Sequence, residues 1–77
     1  MAMDMQEAIE YAQETLDIID EDVDADALDR GQEFFESVRD RLLAMLETME
    51  KSDFDAPTAK QEQALRNMRS AVEKWVR

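Results

Sequence analysis

The residues of this chain that could do chemistry are almost all carboxylates. The sequence contains 20 Asp and Glu residues, but no His and no Cys. Without Cys there is no zinc–thiolate site and no thiol nucleophile, and without His the commonest general base and metal ligand are missing. Because Ser37, Ser52 and Ser70 have no base to activate them, we expect a protein that is not an enzyme and uses no cofactor.

One run of carboxylates has the spacing of a calcium loop at both of its ends. The acids at loop positions 1, 3, 5 and 12 would be Asp22, Asp24, Asp26 and Glu33. The middle of the run does not fit, because Ala27 stands where the loop needs a sharp turn at glycine and Asp29 stands where an apolar residue packs inward. The run is more typical of a helix cap and turn, so these four acids are weak candidate metal ligands.

Pairs of acids three residues apart suggest a second metal chemistry. Such pairs hold magnesium in some all-α nucleotide pyrophosphatases, where the carboxylates point into a bundle or a cleft. The pairs in this sequence are Glu7/Glu10, Glu33/Glu36 and Glu47/Glu50. On a wheel of about 100° per residue they point outward, and no glycine-rich phosphate loop accompanies them, so we do not expect catalysis.

Five carboxylates before residue 22 recur at alternating spacings of three and four residues. They are Glu7, Glu10, Glu14, Asp17 and Glu21, named the acidic stripe below. The spacing predicts one band of negative charge along a helix, with successive carboxylates about 5 Å apart along its axis. Like charges at these spacings repel by about 0.2–0.5 kcal/mol per pair, and no Lys or Arg precedes Arg30. Tyr11 and Ile18 fall beside the stripe, and we expect both to point away from the core.

The net charge of the chain is concentrated in one part of the sequence. The formal charge is −11, and residues 1–33 contain twelve acids with Arg30 as their one base. Residues 34–77 contain eight acids and eight bases. Acids that adapt a protein to high salt would be spread over the whole surface, so this asymmetry indicates a local role.

Apolar residues recur at helical spacing in three segments. The first segment contains Met5, Ile9, Ala12, Leu16, Ile19 and Val23. The second contains Leu28, Gly31, Phe35, Val38, Leu42, Met45 and Met49, and the third contains Leu65, Met68, Val72 and Trp75. These patterns predict helices near 4–22, 26–51 and 57–76. Pro57 suits the first turn of the third helix, with Asp55 or Thr58 as its cap and with Thr58 and Gln61 as a capping box.

The predicted fold is a single all-α domain over residues 1–77, a small antiparallel three-helix bundle. Apolar side chains cover about half the circumference of the second helix, so we expect it to be central, with the other two helices as flanks. Gly31 then marks a close approach of the first helix or a late helix start. Phe34 and Leu43 lie at opposite edges of the apolar arc and would be spare surface for a homodimer.

The acidic stripe allows three interpretations. It is a solvated face, or it pairs internally with arginines, or it binds a basic partner. The arginines available for internal pairing are Arg39, Arg41, Arg66 and Arg69. The wheel places most of them on outer faces, where Arg66 pairs with Glu62 and Arg69 with Glu73 at i, i+4 spacing.

The interpretation that uses most of these features is an acidic protein-interaction module. It would bind and block a basic protein surface, such as one that binds nucleic acid, because a line of carboxylates imitates a line of phosphates. The predicted binding residues are Glu7, Glu10, Tyr11, Glu14, Asp17, Ile18 and Glu21. The alternative is a structural or adaptor subunit that dimerises or docks through apolar helix faces, and a weaker alternative is calcium binding by residues 22–33.

Charge and hydropathy also indicate where the protein acts. A negative chain is repelled by nucleic acid and by anionic membranes, so we expect direct binding to neither. The longest apolar run, residues 42–46, is far shorter than a membrane span. The N-terminal residues lack the basic start and apolar stretch of a signal peptide, which predicts a cytoplasmic protein.

Overall fold

Four helices account for most of residues 3–76, the part of the chain that the computed structural model describes. They are α1 (Met5–Glu21), α2 (Ala25–Arg30), α3 (Gln32–Glu50) and α4 (Ala59–Glu73). Three of them are long enough to form a bundle, and no strand occurs within the described residues. The prediction of a small all-α helical bundle is therefore confirmed.

The predicted second helix is two helices, because the chain departs from helical geometry at Gly31. This residue has φ −105° and ψ 27°. Its N–H donates to the carbonyl of Ala27 at 2.9 Å, and its own carbonyl accepts from the N–H of Phe35 at 2.9 Å. A Cβ atom at this position would lie 3.1 Å from the Trp75 ring and 3.0 Å from the Phe35 ring. The close approach that the glycine permits is thus made by two aromatic rings and not by the first helix. The other expectation for Gly31, a late helix start, agrees with the structure, because α3 begins at Gln32 with Gly31 as its N-cap.

An aromatic cluster surrounds this break. Phe34 and Phe35 meet edge to face with ring centroids 5.1 Å apart. The Trp75 ring stacks on Phe34 at 6.2 Å and meets Phe35 edge to face at 5.4 Å. Phe34 is half-buried in this cluster, so it is not the spare surface that the sequence predicted, whereas Leu43 is exposed.

The helix at the centre of the bundle is α1, and the prediction that the second helix would be central was wrong. α1 packs along both α3 and α4, which contact each other much less. The most deeply buried residues of α1 are Ala8, Ala12, Thr15 and Ile19. Small side chains at positions 8 and 12 allow both neighbours to approach the helix closely, which is why α1 contributes contacts on two sides.

Side-chain caps mark the start of α1, α2 and α4. Asp4 accepts from the N–H of Glu7 at 2.7 Å, and Asp24 accepts from the N–H of Ala27 at 2.9 Å. Thr58 and Gln61 form the predicted capping box, with hydrogen bonds of 3.0 and 2.9 Å. Pro57 precedes this cap instead of lying in the first turn, so α4 begins two residues later than predicted.

Candidate protein-binding surface

The acidic stripe lies on the solvent-exposed side of α1, as its spacing predicted. The carboxylates of Glu7, Glu10, Glu14, Asp17 and Glu21 all belong to exposed residues. The Asp4 cap fixes the start of the helix, and the buried residues 8, 12, 15 and 19 fix its rotation. This rotation places the stripe along the edge of α1 that borders α4.

One member of the stripe is neutralised from within the fold. Arg69 on α4 reaches Glu14, with Nη2 3.3 Å from Oε2. Next to the stripe, Arg39 on α3 pairs with Asp20 at 2.7 Å. The expectation that Arg69 lies on an outer face was wrong, since both arginines cross to α1. Internal pairing with an arginine, one of the three interpretations of the stripe, therefore holds for Glu14. Within residues 3–76 no other ion pair involves a stripe carboxylate, so four of the five are not paired with a base of that part of the chain.

The pairing predicted on α4 holds for one of its two pairs. Arg66 and Glu62 form an ion pair at 3.5 Å. Arg69 instead turns towards α1, and its guanidinium is taken up by that helix and not by Glu73. The Arg69 side chain is only 17% exposed.

Tyr11 is not an outward contact point. Its ring is partly buried against the core, and the Arg69 guanidinium carbon lies 3.7 Å from the ring centroid. Ile18 is likewise half-buried and packed against the core. The expectation that both side chains point away from the core was therefore wrong, although each is only partly buried. The buried face of α1 is centred on small residues, so it extends further round the helix, towards Tyr11 and Ile18, than the larger apolar residues indicate.

Arg69 joins α4 to the backbone of α1 through a small polar network. Its Nη2 donates to the Tyr11 carbonyl at 2.8 Å, and its Nε donates to the Thr15 hydroxyl at 3.1 Å. The Thr15 hydroxyl in turn donates to the Tyr11 carbonyl at 2.8 Å. Thr15 is fully buried and satisfied by these bonds. Sequence reasoning missed this network, although Thr15 stands at helical spacing from Ala8 and Ala12 and could have suggested it.

A shallow cleft of about 270 Å³ runs between the stripe and α4. Its lining comprises Met3, Glu7, Glu10, Tyr11, Glu14 and Arg66. Three carboxylates border it, and the one base in the lining, Arg66, pairs with Glu62. A Lys or Arg side chain of a partner would therefore meet several acceptors here within reach of one another.

Glu62 fixes the backbone of Met3, one of the residues that line this cleft. The backbone N–H of Met3 donates to Glu62 Oε1 at 2.8 Å. This hydrogen bond, and the attraction of the Arg66 guanidinium, hold the pKa of the Glu62 carboxyl below its ordinary value of 4.5. Met3 is itself buried and forms part of the cleft lining.

The candidate calcium loop is occupied by helix. Residues 25–30 form α2, where Asp24 is the N-cap and Asp26 pairs with Arg30 at 3.2 Å. Asp22 is the C-cap residue of α1, and Glu33 lies in the first turn of α3. Nowhere in the described part of the chain do three or more acids come together in a group that could hold a metal ion.

Comparisons with known proteins give no relative from which a role could be transferred. No protein-family model, curated protein or solved structure matches the chain. None of the helices that the structure describes has the length and apolar character needed to cross a membrane. The function therefore has to be inferred from the surface of this molecule.

Proposed function

We propose that this protein is an acidic interaction module that binds and blocks a basic surface of a partner protein through the exposed side of α1. The observation that supports the proposal is the exposure of the acidic stripe and the lack of ion pairs along most of it. Glu7, Glu10, Asp17 and Glu21 are exposed and have no ion pair within residues 3–76. Complementary charge of this kind speeds association and orients the partner.

The geometry of the stripe favours a partner whose cations also form a line. Carboxylates on α1 follow one another at about 5 Å along the axis, whereas phosphates along one strand of B-DNA follow at about 3.4 Å. The stripe is therefore a sparser line of negative charge than a nucleic acid strand. A protein surface that binds nucleic acid through spaced Lys and Arg residues is the class of partner that we propose.

The corrected positions of Tyr11 and Ile18 change the residues assigned to binding. Because both side chains pack against the core, the proposed contact consists of the carboxylates and the cleft beside them, which Tyr11 helps to line without projecting from the surface. Glu14 remains part of it, but Arg69 holds its carboxylate and lowers its share of the attraction. Binding through this surface should depend on charge more than on apolar contact, and it should weaken steeply with salt.

Affinity capture with matched charge variants tests the proposal. The bait is the full chain, used as wild type, as Glu10→Lys/Asp17→Lys and as Glu36→Lys/Asp40→Lys. The last variant changes the net charge equally, on exposed residues of α3. A partner from lysate of the source cells should bind the wild type and the α3 variant at low salt. It should be lost with the α1 variant and at high salt, while circular dichroism shows unchanged helicity.

A structural or adaptor role is the second candidate, and two side chains favour it. Leu43 is 51% exposed and Phe54 is 79% exposed. A partner that stays bound at high salt and binds the α1 variant equally well would support this role and contradict the acidic module. A cytoplasmic location remains a prediction from the sequence.

A further inference from the structure

Phe54 is presented to solvent by a loop that the fold holds in place. Within this loop the Phe54 N–H donates to the Ser52 hydroxyl at 3.1 Å. On the other side of Phe54, the carbonyl of Asp55 accepts from the N–H of Met5 at 2.7 Å. The aromatic side chain itself is 79% exposed, more than any other large apolar side chain of residues 3–76. A single exposed apolar residue is ordinary, but here the backbone on both sides of it is fastened.

An apolar groove lies directly beside this side chain. It has a volume of about 610 Å³, and Phe54 forms part of its wall together with Met5, Thr48 and Ala56. Most of the surface that faces the groove is apolar. Volumes of this order accommodate large side chains and small ligands, which lie in pockets of about 300–1,000 Å³.

The charges around the groove indicate the chemistry of its occupant. Asp53 and Asp55 flank Phe54, both are exposed, and Asp55 is the one charged residue in the groove lining. Of the two bases near the groove in the sequence, Lys51 is paired with Glu47 at 2.9 Å, and Lys60 is exposed beside the lining residue Gln61. A second copy of the chain would bring the same two acids against each other, in a molecule of net charge −11. A segment of opposite charge meets no such repulsion.

We propose that Phe54 and the groove form a second docking surface, which takes an apolar side chain from a basic segment of a partner protein. Phe54 packs on that side chain, and Asp53 and Asp55 meet Lys or Arg residues beside it. This surface shares no residue with the acidic stripe. It therefore stands whether or not the stripe binds a partner.

The test is a titration of the ¹⁵N-labelled full chain with a synthetic helical peptide of Leu and Lys. The peptide has about 15 residues, with Leu at helical spacing, and a matched peptide carries Gln in place of every Leu. We expect the Leu peptide to shift the amide resonances of residues 51–56, Thr58 and Met5, and the Gln peptide to leave them in place; Pro57 has no amide proton. Phe54→Ala should weaken the affinity read from those resonances by about tenfold or more. Leu43→Ala, the matched exposed apolar control, should leave it within about twofold.

Further variants keep the outcome distinct from that of the acidic stripe. Asp53→Asn/Asp55→Asn should lower the affinity for the Leu peptide that is read from the resonances of this loop. Glu10→Lys/Asp17→Lys should leave the peptide-induced shifts of the loop present. The proposal is overturned if residues 51–58 do not respond or if Leu43→Ala weakens binding as much as Phe54→Ala. It is also overturned if sedimentation shows that the chain alone forms a dimer that Phe54→Ala disperses, because the occupant is then a second copy.

Discussion

At the scale of single residues, Arg69 connects the fold to the proposed binding surface. Its guanidinium covers the Tyr11 ring, donates to the Tyr11 carbonyl and to Thr15, and reaches Glu14 at the edge of the acidic stripe. Three of these contacts involve partly or fully buried groups, where a charge-assisted hydrogen bond contributes more than at the surface. Arg69 therefore acts mainly as a structural link between α4 and α1.

Arg69→Ala should destabilise the protein by about 2–3 kcal/mol, because it removes a stacked guanidinium and two hydrogen bonds to poorly exposed acceptors. The control is Arg39→Ala, which removes the exposed ion pair with Asp20 and should cost less than about 1 kcal/mol. Urea unfolding followed by circular dichroism measures both free energies. Equal losses in the two variants would show that the Arg69 network contributes no more than a surface pair.

Glu62 should make the stability of the protein depend on pH in the acidic range. Its pKa is lower in the folded protein than its ordinary value of 4.5, owing first to the hydrogen bond from Met3. The unfolded chain therefore binds this proton more readily, and the contribution of Glu62 is fully present above 4.5 and disappears as the pH falls through the folded pKa.

The measurement is the melting temperature of the wild type, Glu62→Gln and Glu50→Gln between pH 3 and pH 7. Glu50→Gln removes the same charge from an exposed position on α3 and corrects for the general effect of one carboxylate. The deficit of Glu62→Gln relative to this control should be present at neutral pH and should shrink in acid. A deficit that stays constant with pH would mean that the Met3 contact does not depend on the ionised form.

At the scale of helices, local sequence patterns predicted the helix caps and the exposed and buried sides better than they predicted how the helices pack together. The capping box of Thr58 and Gln61 was predicted correctly, because this motif is formed within four residues of the chain. A late helix start at Gly31 was one of two expectations, but local sequence could not decide for it, because one glycine costs a helix only about 1 kcal/mol. The Trp75 ring lies against Gly31 at the break. Trp75 is distant from Gly31 in the sequence and comes close to it only in the folded bundle.

Gly31→Ala should destabilise the protein in the wild-type background and do so less when Trp75 is Leu. A Cβ at this position lies 3.0–3.2 Å from the Phe35 and Trp75 rings, which must move to accept it. The smaller Leu side chain at position 75 would relieve the contact with the indole, so less of the steric cost would remain. A double-mutant cycle should give a coupling of about 1 kcal/mol. Zero coupling would mean that the indole does not require a glycine here.

The orientation of α1 shows a second limit of sequence reasoning. Its buried face is centred on Ala8, Ala12 and Thr15, whose small or polar side chains give a weak apolar signal. The larger apolar residues Met5 and Leu16 flank that face, so the centre of the buried face was predicted too close to them. The exposed stripe was predicted correctly despite this error, because charged residues mark the solvent side of a helix more reliably than alanines mark its buried side.

At the scale of the whole molecule, the acidic residues form a surface that the rest of the chain does not neutralise. Residues 1–33 hold the entire net charge, and of the stripe only Glu14 is ion-paired within residues 3–76. Of the bases of α3 and α4, Arg39 and Arg69 pair with Asp20 and Glu14 of α1, and Arg66 pairs with Glu62 of its own helix. The repulsion along α1 is therefore left in the free protein, and a basic partner would relieve it.

The measurement that tests this account most directly is the affinity of the captured partner for the two charge-reversal variants, by calorimetric titration at two salt concentrations. Glu10→Lys/Asp17→Lys should bind at least about tenfold more weakly than the wild type, while Glu36→Lys/Asp40→Lys should stay within about threefold, because long-range attraction is screened beyond about 10 Å at 0.1 M salt. Equal losses in the two variants, or an affinity that does not change with salt, would contradict the assignment of the acidic stripe as the binding surface.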